Sequence, residues 1–208
     1  MKSLKKKIEN LRKILKKEIV KKLKEFENNF TLSTKEKFLE LCFCILVANT
    51  SLEKTLGIWK KIGKGFLFLS KNELRKKLKD LGYRFYNKRS DYIISARKFI
   101  DEIEFVLKNK REFEVREWLV KNIKGIGWKE ASHFLRNLGY KNFAILDRHV
   151  LKILKKYKVI DEIPKNLTKK EYLEIEEKLR KIANSLNVSL AELDFYLFYL
   201  DTKKLAEK

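Results

Sequence analysis

The chain has 208 residues, enough for one compact unit with a real core. Hydrophobic residues make up 44% and aromatics 12%, which argues against disorder despite a charged fraction of 38%. Fifty basic against 28 acidic side chains give a formal charge of +22, an imbalance that favours nucleic acid as partner over a membrane surface or an acidic protein. No apolar run approaches the roughly 18 residues of a spanning helix, and no h-region or cleavage site follows the basic N-terminus. An intracellular protein with no membrane partner is expected. A single proline with abundant Lys and Glu is compatible with a thermophilic source.

Residues 2–29 read as one long basic helix with Leu4, Ile8, Leu11, Leu15, Ile19, Leu23 and Phe26 on one stripe. Its lysines form either a solvated outer face or a supplementary phosphate-binding surface. Ser33-Thr34-Lys35-Glu36 fits a capping box and opens an apolar helix from Phe38 to Ala48. Within it Cys42 and Cys44 point to different faces, which makes them small buried hydrophobes and not a disulfide or ligand pair. Thr50-Ser51-Leu52-Glu53 opens the next helix, to Ile62, and Asn72 is the expected cap of a short helix to Leu81, closed by Gly82. A longer helix is expected over Asn87–Lys108, then one over Phe113–Ile123. After Asp147 come helices over Arg148–Tyr157, Lys169–Leu186 and Leu190 to about Lys203, the last two with capping boxes at Thr168–Glu171 and Ser189–Glu192. No stretch alternates with period two between turns, so the chain is expected to be all-α, without repeats or linkers.

Residues 118–151 organise the rest. One helical pattern stops at Lys124-Gly125-Ile126-Gly127, and another, carrying Ala131, Phe134, Leu135 and Leu138, starts at once. Two glycines around one aliphatic residue allow a tight turn with positive φ and close backbone approach to a partner. Such a turn leaves backbone N–H groups at the head of the next helix for a phosphate. This is a helix-hairpin-helix, a grip on nucleic-acid backbone. Lys129 follows the hairpin by two residues, and Asp147 follows Lys129 by eighteen.

Gly125-Ile126-Gly127-Trp128-Lys129 and Ile145-Leu146-Asp147-Arg148-His149 together resemble the signature of the helix-hairpin-helix superfamily of DNA base-excision glycosylases. Among them the chain is most similar to the compact archaeal-type 8-oxoguanine DNA glycosylases, the second 8-oxoguanine glycosylase family, from about Ser33 to the C-terminus. The resemblance implies a two-lobed all-α fold with the DNA cleft between the lobes: residues 50–146, with the hairpin at 118–138, form one, and 1–49 with 147–208 the other. It implies a single catalytic unit without a cofactor. The iron–sulfur loop of relatives such as endonuclease III is excluded, because no cysteine follows Cys44. Two histidines are too few for a convincing zinc site.

The implied activity is excision of 8-oxoguanine from double-stranded DNA through a lysine Schiff base, followed by β-elimination at the abasic site. Lys129 would be the nucleophile. Asp147, also a natural N-cap for the helix at Arg148, would stay ionised there, deprotonate the lysine and stabilise charge developing on the sugar. His149 is either a core histidine or, as its family counterpart, a phosphate contact. Asn49, in Val47-Ala48-Asn49-Thr50-Ser51, is either a cap or the side chain that fills the void left by the flipped base. In Leu81-Gly82-Tyr83-Arg84-Phe85-Tyr86-Asn87-Lys88-Arg89 the wedge is assigned to Phe85 over Tyr86, with Arg84, Lys88 and Arg89 on phosphates. The base pocket would draw on Asp194, Phe198, His133 and the terminal Lys208, each with an ordinary structural role as the alternative. Two other readings remain: a glycosylase/lyase for a different oxidised base, and a non-catalytic helix-hairpin-helix DNA-binding module. A monomer is expected, placed with the nucleoid in a prokaryotic, possibly heat-adapted cytoplasm.

Overall fold

The computed structural model describes residues 2–206 and 208. All regular structure among them is helical: α1 (Lys2–Asn29), α2 (Thr34–Val47), α3 (Leu52–Ile62), α4 (Gly65–Phe68), α5 (Lys71–Asp80), α6 (Tyr86–Ala96), a 3-10 turn (Arg97–Phe99), α7 (Ile100–Asn109), α8 (Glu112–Asn122), α9 (Trp128–Asn137), α10 (Arg148–Lys156), α11 (Lys169–Ser185) and α12 (Leu190–Thr202). None of the described helices is long and apolar enough to cross a membrane.

Local chemistry starts most of these helices. Ser33 and Thr168 close the expected capping boxes with Glu36 and Glu171, each satisfying backbone donors that would otherwise lack an intrahelical partner. Two expectations are corrected. Ser70, not Asn72, caps α5, because its hydroxyl and the Glu73 carboxylate satisfy each other's backbone N–H. The single helix expected over 87–108 is broken at 97–99, where the Arg97 Nε donates to the Phe66 carbonyl at 2.8 Å and the chain tightens into a 3-10 turn. The four-residue α4 had no signal in the apolar spacing.

The chain divides into two compact units, Phe30–Phe134 and Met1–Asn29 with Leu135–Lys208. These boundaries differ from the expected ones at 49/50 and 146/147. Helix α2 buries ten of its 14 residues and packs on α3, α4, α6 and α7, so it is part of the central unit's core. That core contains Phe38, Leu41, Phe43, Leu46, Phe66, Leu74, Leu78, Ile93 and Leu119, with Cys42 and Cys44 fully buried as thiols. The second boundary falls inside α9.

In the terminal unit, α12 is the hub for α1, α10 and α11. Leu4, Ile8, Leu15, Ile19 and Phe26 of α1 are 0–7% exposed. Each such burial contributes roughly 1.5–3 kcal/mol before conformational entropy is subtracted. The end of α9 lies tight on the end of α1: Asn29 Nδ2 donates to the Asn137 carbonyl at 2.9 Å. A Cβ on Gly139, at φ +90°, would come within 2.7 Å of the Glu27 Cα, so only glycine fits there.

Candidate active site and nucleic-acid contacts

In the central unit the hairpin is built from α8, the five-residue turn 123–127 and the head of α9. The Ile126 N–H donates to the Ile123 carbonyl at 3.2 Å, and Ile126 itself is buried. Gly125 takes φ +85°, and a Cβ there would sit 2.3 Å from the Tyr92 ring, so the turn requires glycine for conformation and for space. Arg116, 1% exposed, braces the head of α9: it donates to Ser132 Oγ at 3.3 Å and lies 4.9 Å from the Trp128 ring centroid.

Lys129 stands in the first turn of α9 with its side chain 23% exposed, and its Nζ lies 3.0 Å from Glu130 Oε1. The other oxygen of Glu130 accepts the Gly127 N–H at 3.2 Å. Of the hairpin amides expected to be open, that of Gly127 is satisfied from within the helix it begins. One turn on from Lys129, His133 is 6% exposed and meets the Phe43 ring edge-on at 5.8 Å, the packing of a core histidine.

Two further segments of this unit carry expected contacts. Asn49 is exposed with φ +60°, a left-handed conformation that few non-glycine residues adopt. It does not cap α3, because Ser51 does so by accepting the Lys54 N–H at 3.1 Å. The turn is held from beneath: Tyr83 Oη donates to the Leu46 carbonyl at 2.6 Å, Arg89 to the Ala48 carbonyl at 3.2 Å, and Thr50 Oγ1 lies 2.7 Å from Thr55 Oγ1. Half-buried Phe85 has the Arg84 guanidinium 4.4 Å from its centroid and that of Arg89 at 5.8 Å. Tyr86, also half-buried, has the Lys79 ammonium 5.9 Å from its ring centroid, and Lys88 is exposed.

In the terminal unit the buried stretch Phe143–Leu146 delivers Asp147. Its backbone is satisfied by α11: Glu176 accepts the Ala144 N–H at 2.9 Å, and Tyr172 Oη donates to the Ala144 carbonyl at 2.6 Å. Asp147 caps α10, its Oδ1 accepting the N–H groups of His149 and Val150 at 2.9 and 2.8 Å. The His149 ring is held by Asp201, with Nδ1 2.5 Å from Oδ2, and packs edge-on against Phe198 at 5.2 Å.

Asp194 is 8% exposed and pairs with Arg136 at 2.8 Å, between the rings of Phe26 and Phe195, whose centroids lie 5.0 and 5.2 Å from the guanidinium. Burial pushes its carboxyl up to about 7, against the pull of Arg136 and with a smaller push from the charge of Asp147. The structure therefore gives this expected pocket residue an internal partner. Lys208, at the end of the chain, is half-buried.

Residues 19–188 match the family model of the 8-oxoguanine DNA glycosylases. This chain belongs to the 8-oxoguanine DNA glycosylase family. A relative from Methanocaldococcus jannaschii, named 8-oxoguanine DNA glycosylase/AP lyase, is 51% identical over 201 residues, 96% of this chain and 97% of its own length. One of the same name from Thermotoga maritima is 44% identical, again over 96% of this chain and 97% of its own length. The crystal structure of the Methanocaldococcus glycosylase/lyase with 15mer DNA containing 8-oxoguanine matches with a TM-score of 0.95 at 50% identity, covering 98% of this chain and 99% of that one. The Thermotoga glycosylase structure matches with a TM-score of 0.94 at 42% identity, covering 99% of both chains. The helical architecture expected from the sequence is the architecture of these glycosylases.

Sequence reading of this glycosylase-family chain passed over Glu130, Asp201, Arg136 and the Tyr172–Glu176 support of Asp147. Glu130 carried a signal, since a glutamate three residues after a helix's first cap position marks a capping partner. The others depend on contacts far apart in the chain.

Proposed function

We propose that this chain is a bifunctional DNA glycosylase that removes 8-oxoguanine from double-stranded DNA and then cleaves the strand at the abasic site. The observation that carries the reading is Lys129, a partly accessible amine in the first turn after the Gly125–Gly127 hairpin, in a chain 51% identical to a named 8-oxoguanine DNA glycosylase/AP lyase. Its neutral Nζ would attack the sugar carbon that bears the base, and the C–N bond to the base breaks with its electron pair leaving on the base. The C1′–O4′ bond then opens with its electron pair on the ring oxygen, which takes up a proton, to leave an imine, and loss of a proton from the adjacent sugar carbon expels the 3′ phosphate. Asp147, fixed at the head of α10, is assigned to accept the lysine proton and to stabilise the developing sugar cation. The hairpin, Arg84, Lys88, Arg89 and His149 are assigned to phosphates, Asn49 to the vacated position in the stack and Phe85 to the wedge. The pocket assignments of Phe198, Lys208, His133 and Asp194 rest on resemblance, and the packing of the last two favours a structural part for them.

The test is borohydride trapping on a duplex with one 8-oxoguanine opposite cytosine, beside an undamaged duplex and Lys129→Gln. A covalent complex from the wild-type chain on the lesion alone is the expected result. Trapping only on another oxidised base would overturn the specificity, and no trapping on any lesion would favour a DNA-binding module. The same reading assigns the protein, as a monomer, to the chromosome of a prokaryotic cytoplasm, and the Lys- and Glu-rich composition to growth in heat; size-exclusion and thermal melting test those two points.

A further inference from the structure

Helix α1 is more basic than its packing requires. Lys2, Lys6, Lys13, Lys17 and Lys24 are all exposed. At about 100° per residue they fall in one sector of roughly 60°, centred about 160° from the buried stripe Leu4–Ile8–Leu15–Ile19–Phe26. That sector otherwise holds only Val20; Asn10 and Asn28 lie about 20° beyond one edge, and Glu9 and Glu27 about 20° beyond the other. Among the described residues none of the five lysines has an ion-pair partner: Lys22 takes Glu25, Lys141 takes Glu27, and Glu9, three residues from Lys6 and four from Lys13, joins neither.

This arrangement costs the helix stability. Lys2–Lys6 and Lys13–Lys17 are like-charge pairs at i,i+4, each unfavourable by roughly 0.2–0.5 kcal/mol. The first turn contains no acidic residue, so Lys2 sits uncompensated at the positive end of the helix dipole. A solvated face would be stabler with interleaved glutamates. A polyanion removes both penalties.

We propose that this lysine ridge is a second docking surface for duplex DNA, separate from the lesion site. The first and last of these lysines lie 22 positions apart, about 33 Å of helix, close to the roughly 34–36 Å of one duplex turn. From Lys2 to Lys17 the ridge lies opposite the side of α1 that packs on α12, where Phe26 stacks on Phe195, while Lys24 lines a concavity with Glu27, Asn184 and Glu192. Helix α10, which Asp147 caps, packs on that same α12. A lipid surface fits less well, because an interfacial helix inserts an apolar face, and that of α1 is buried within the protein. The proposal takes from the glycosylase reading only the identity of the polyanion. Contacts of this kind recognise backbone, not lesion, and would hold a second stretch of duplex while the active site searches the first.

The test compares the wild-type chain with Lys6→Gln/Lys13→Gln/Lys17→Gln/Lys24→Gln and with a charge-matched control, Lys158→Gln/Lys165→Gln/Lys170→Gln/Lys181→Gln, four lysines exposed elsewhere on the terminal unit. Helical circular dichroism checks that both variants fold. Binding to undamaged duplex is measured by anisotropy over a salt series, and excision by single turnover at saturating enzyme. The ridge variant is expected to bind about 10- to 100-fold more weakly at low salt. Its slope of log Kd against log salt should be shallower by about 2 to 4, at about 0.9 for each phosphate that a lysine no longer neutralises. The control should change by less than half as much, and the saturated excision rate of both should stay within about two-fold. Equal weakening in ridge and control variants, or none in either, overturns the proposal, as does tighter wild-type binding to phosphatidylserine vesicles than to duplex. Binding to undamaged DNA is read without catalysis, so a failure of trapping and a failure of the ridge are separate results.

Discussion

Glu130 ties Lys129 to the hairpin: one carboxylate oxygen lies 3.0 Å from the lysine Nζ and the other accepts the Gly127 N–H at 3.2 Å. The carboxylate occupies the lysine nitrogen in an ion pair, whereas attack on the sugar needs that nitrogen free, so the pair must part before chemistry. A DNA phosphate arriving at the hairpin would compete with Glu130 for the same N–H. Glu130→Gln keeps an acceptor for Gly127 and removes the charge. Its single-turnover trapping rate on 8-oxoguanine duplex should rise about two- to ten-fold at neutral pH, a drop of up to roughly 1.4 kcal/mol in the barrier. Glu130→Asp should stay near wild type. If the glutamine variant instead loses activity, Glu130 is the base that accepts the lysine proton.

Asp147 combines a structural position with the proposed chemistry, and two substitutions separate them. Asparagine caps a helix as well as aspartate, so Asp147→Asn should change stability by less than about 0.5 kcal/mol, whereas Asp147→Ala should cost about 1 kcal/mol. Both should lower single-turnover excision by about 100-fold or more, because neither retains the charge. Urea melts beside the kinetics distinguish the roles. Wild-type excision by the asparagine variant would reduce Asp147 to a cap.

Gly125→Ala places a Cβ 2.3 Å from the Tyr92 ring at a backbone angle of +85°. The left-handed conformation alone costs an L-residue about 1–2 kcal/mol, and the ring must also move. The variant should unfold at a lower denaturant midpoint and bind undamaged duplex at least several-fold more weakly. An unchanged affinity would separate the hairpin from DNA binding.

Asp194 makes stability depend on pH. Its folded value of about 7 lies above the ordinary carboxyl value near 3.9, so its contribution is complete below that lower value and is lost as pH rises toward 7. Relative to Asp194→Asn, the wild type should lose up to about 4 kcal/mol between about pH 4 and 7. The broken Arg136 pair shifts the variant's whole curve without changing that slope. Parallel curves would mean that Arg136 keeps Asp194 ionised throughout.

What could be read from the sequence followed the range of the interactions. The Ser33–Glu36 and Thr168–Glu171 boxes were legible because both partners lie within one turn. Ser70 carried the same signal three residues before Glu73, and Asn72, a good cap by type, displaced it in the reading. The break after Ala96 was not legible, since it depends on Arg97 reaching a carbonyl 31 residues away. Asp194 shows the same limit at the site: as a polar residue in an aromatic helix it suggests a pocket, while its partner Arg136 is 58 residues distant. Lys129, Gly125 and Asp147 were legible because a tight turn and a helix cap are local problems with few side-chain solutions.

The burial of Cys42 and Cys44 has a chemical consequence. Both are 0% exposed, and burial raises the Cys42 thiol well above its ordinary value, so the reactive thiolate is scarce. The chain's single methionine is its first residue. Oxidants that convert guanine to 8-oxoguanine also attack accessible sulfur. A protein serving an oxidised genome meets those oxidants at their highest level when its substrate is most abundant. On the proposed activity, burial of both cysteines inside α2 shields the chain's cysteine sulfur from the oxidants that make its substrate.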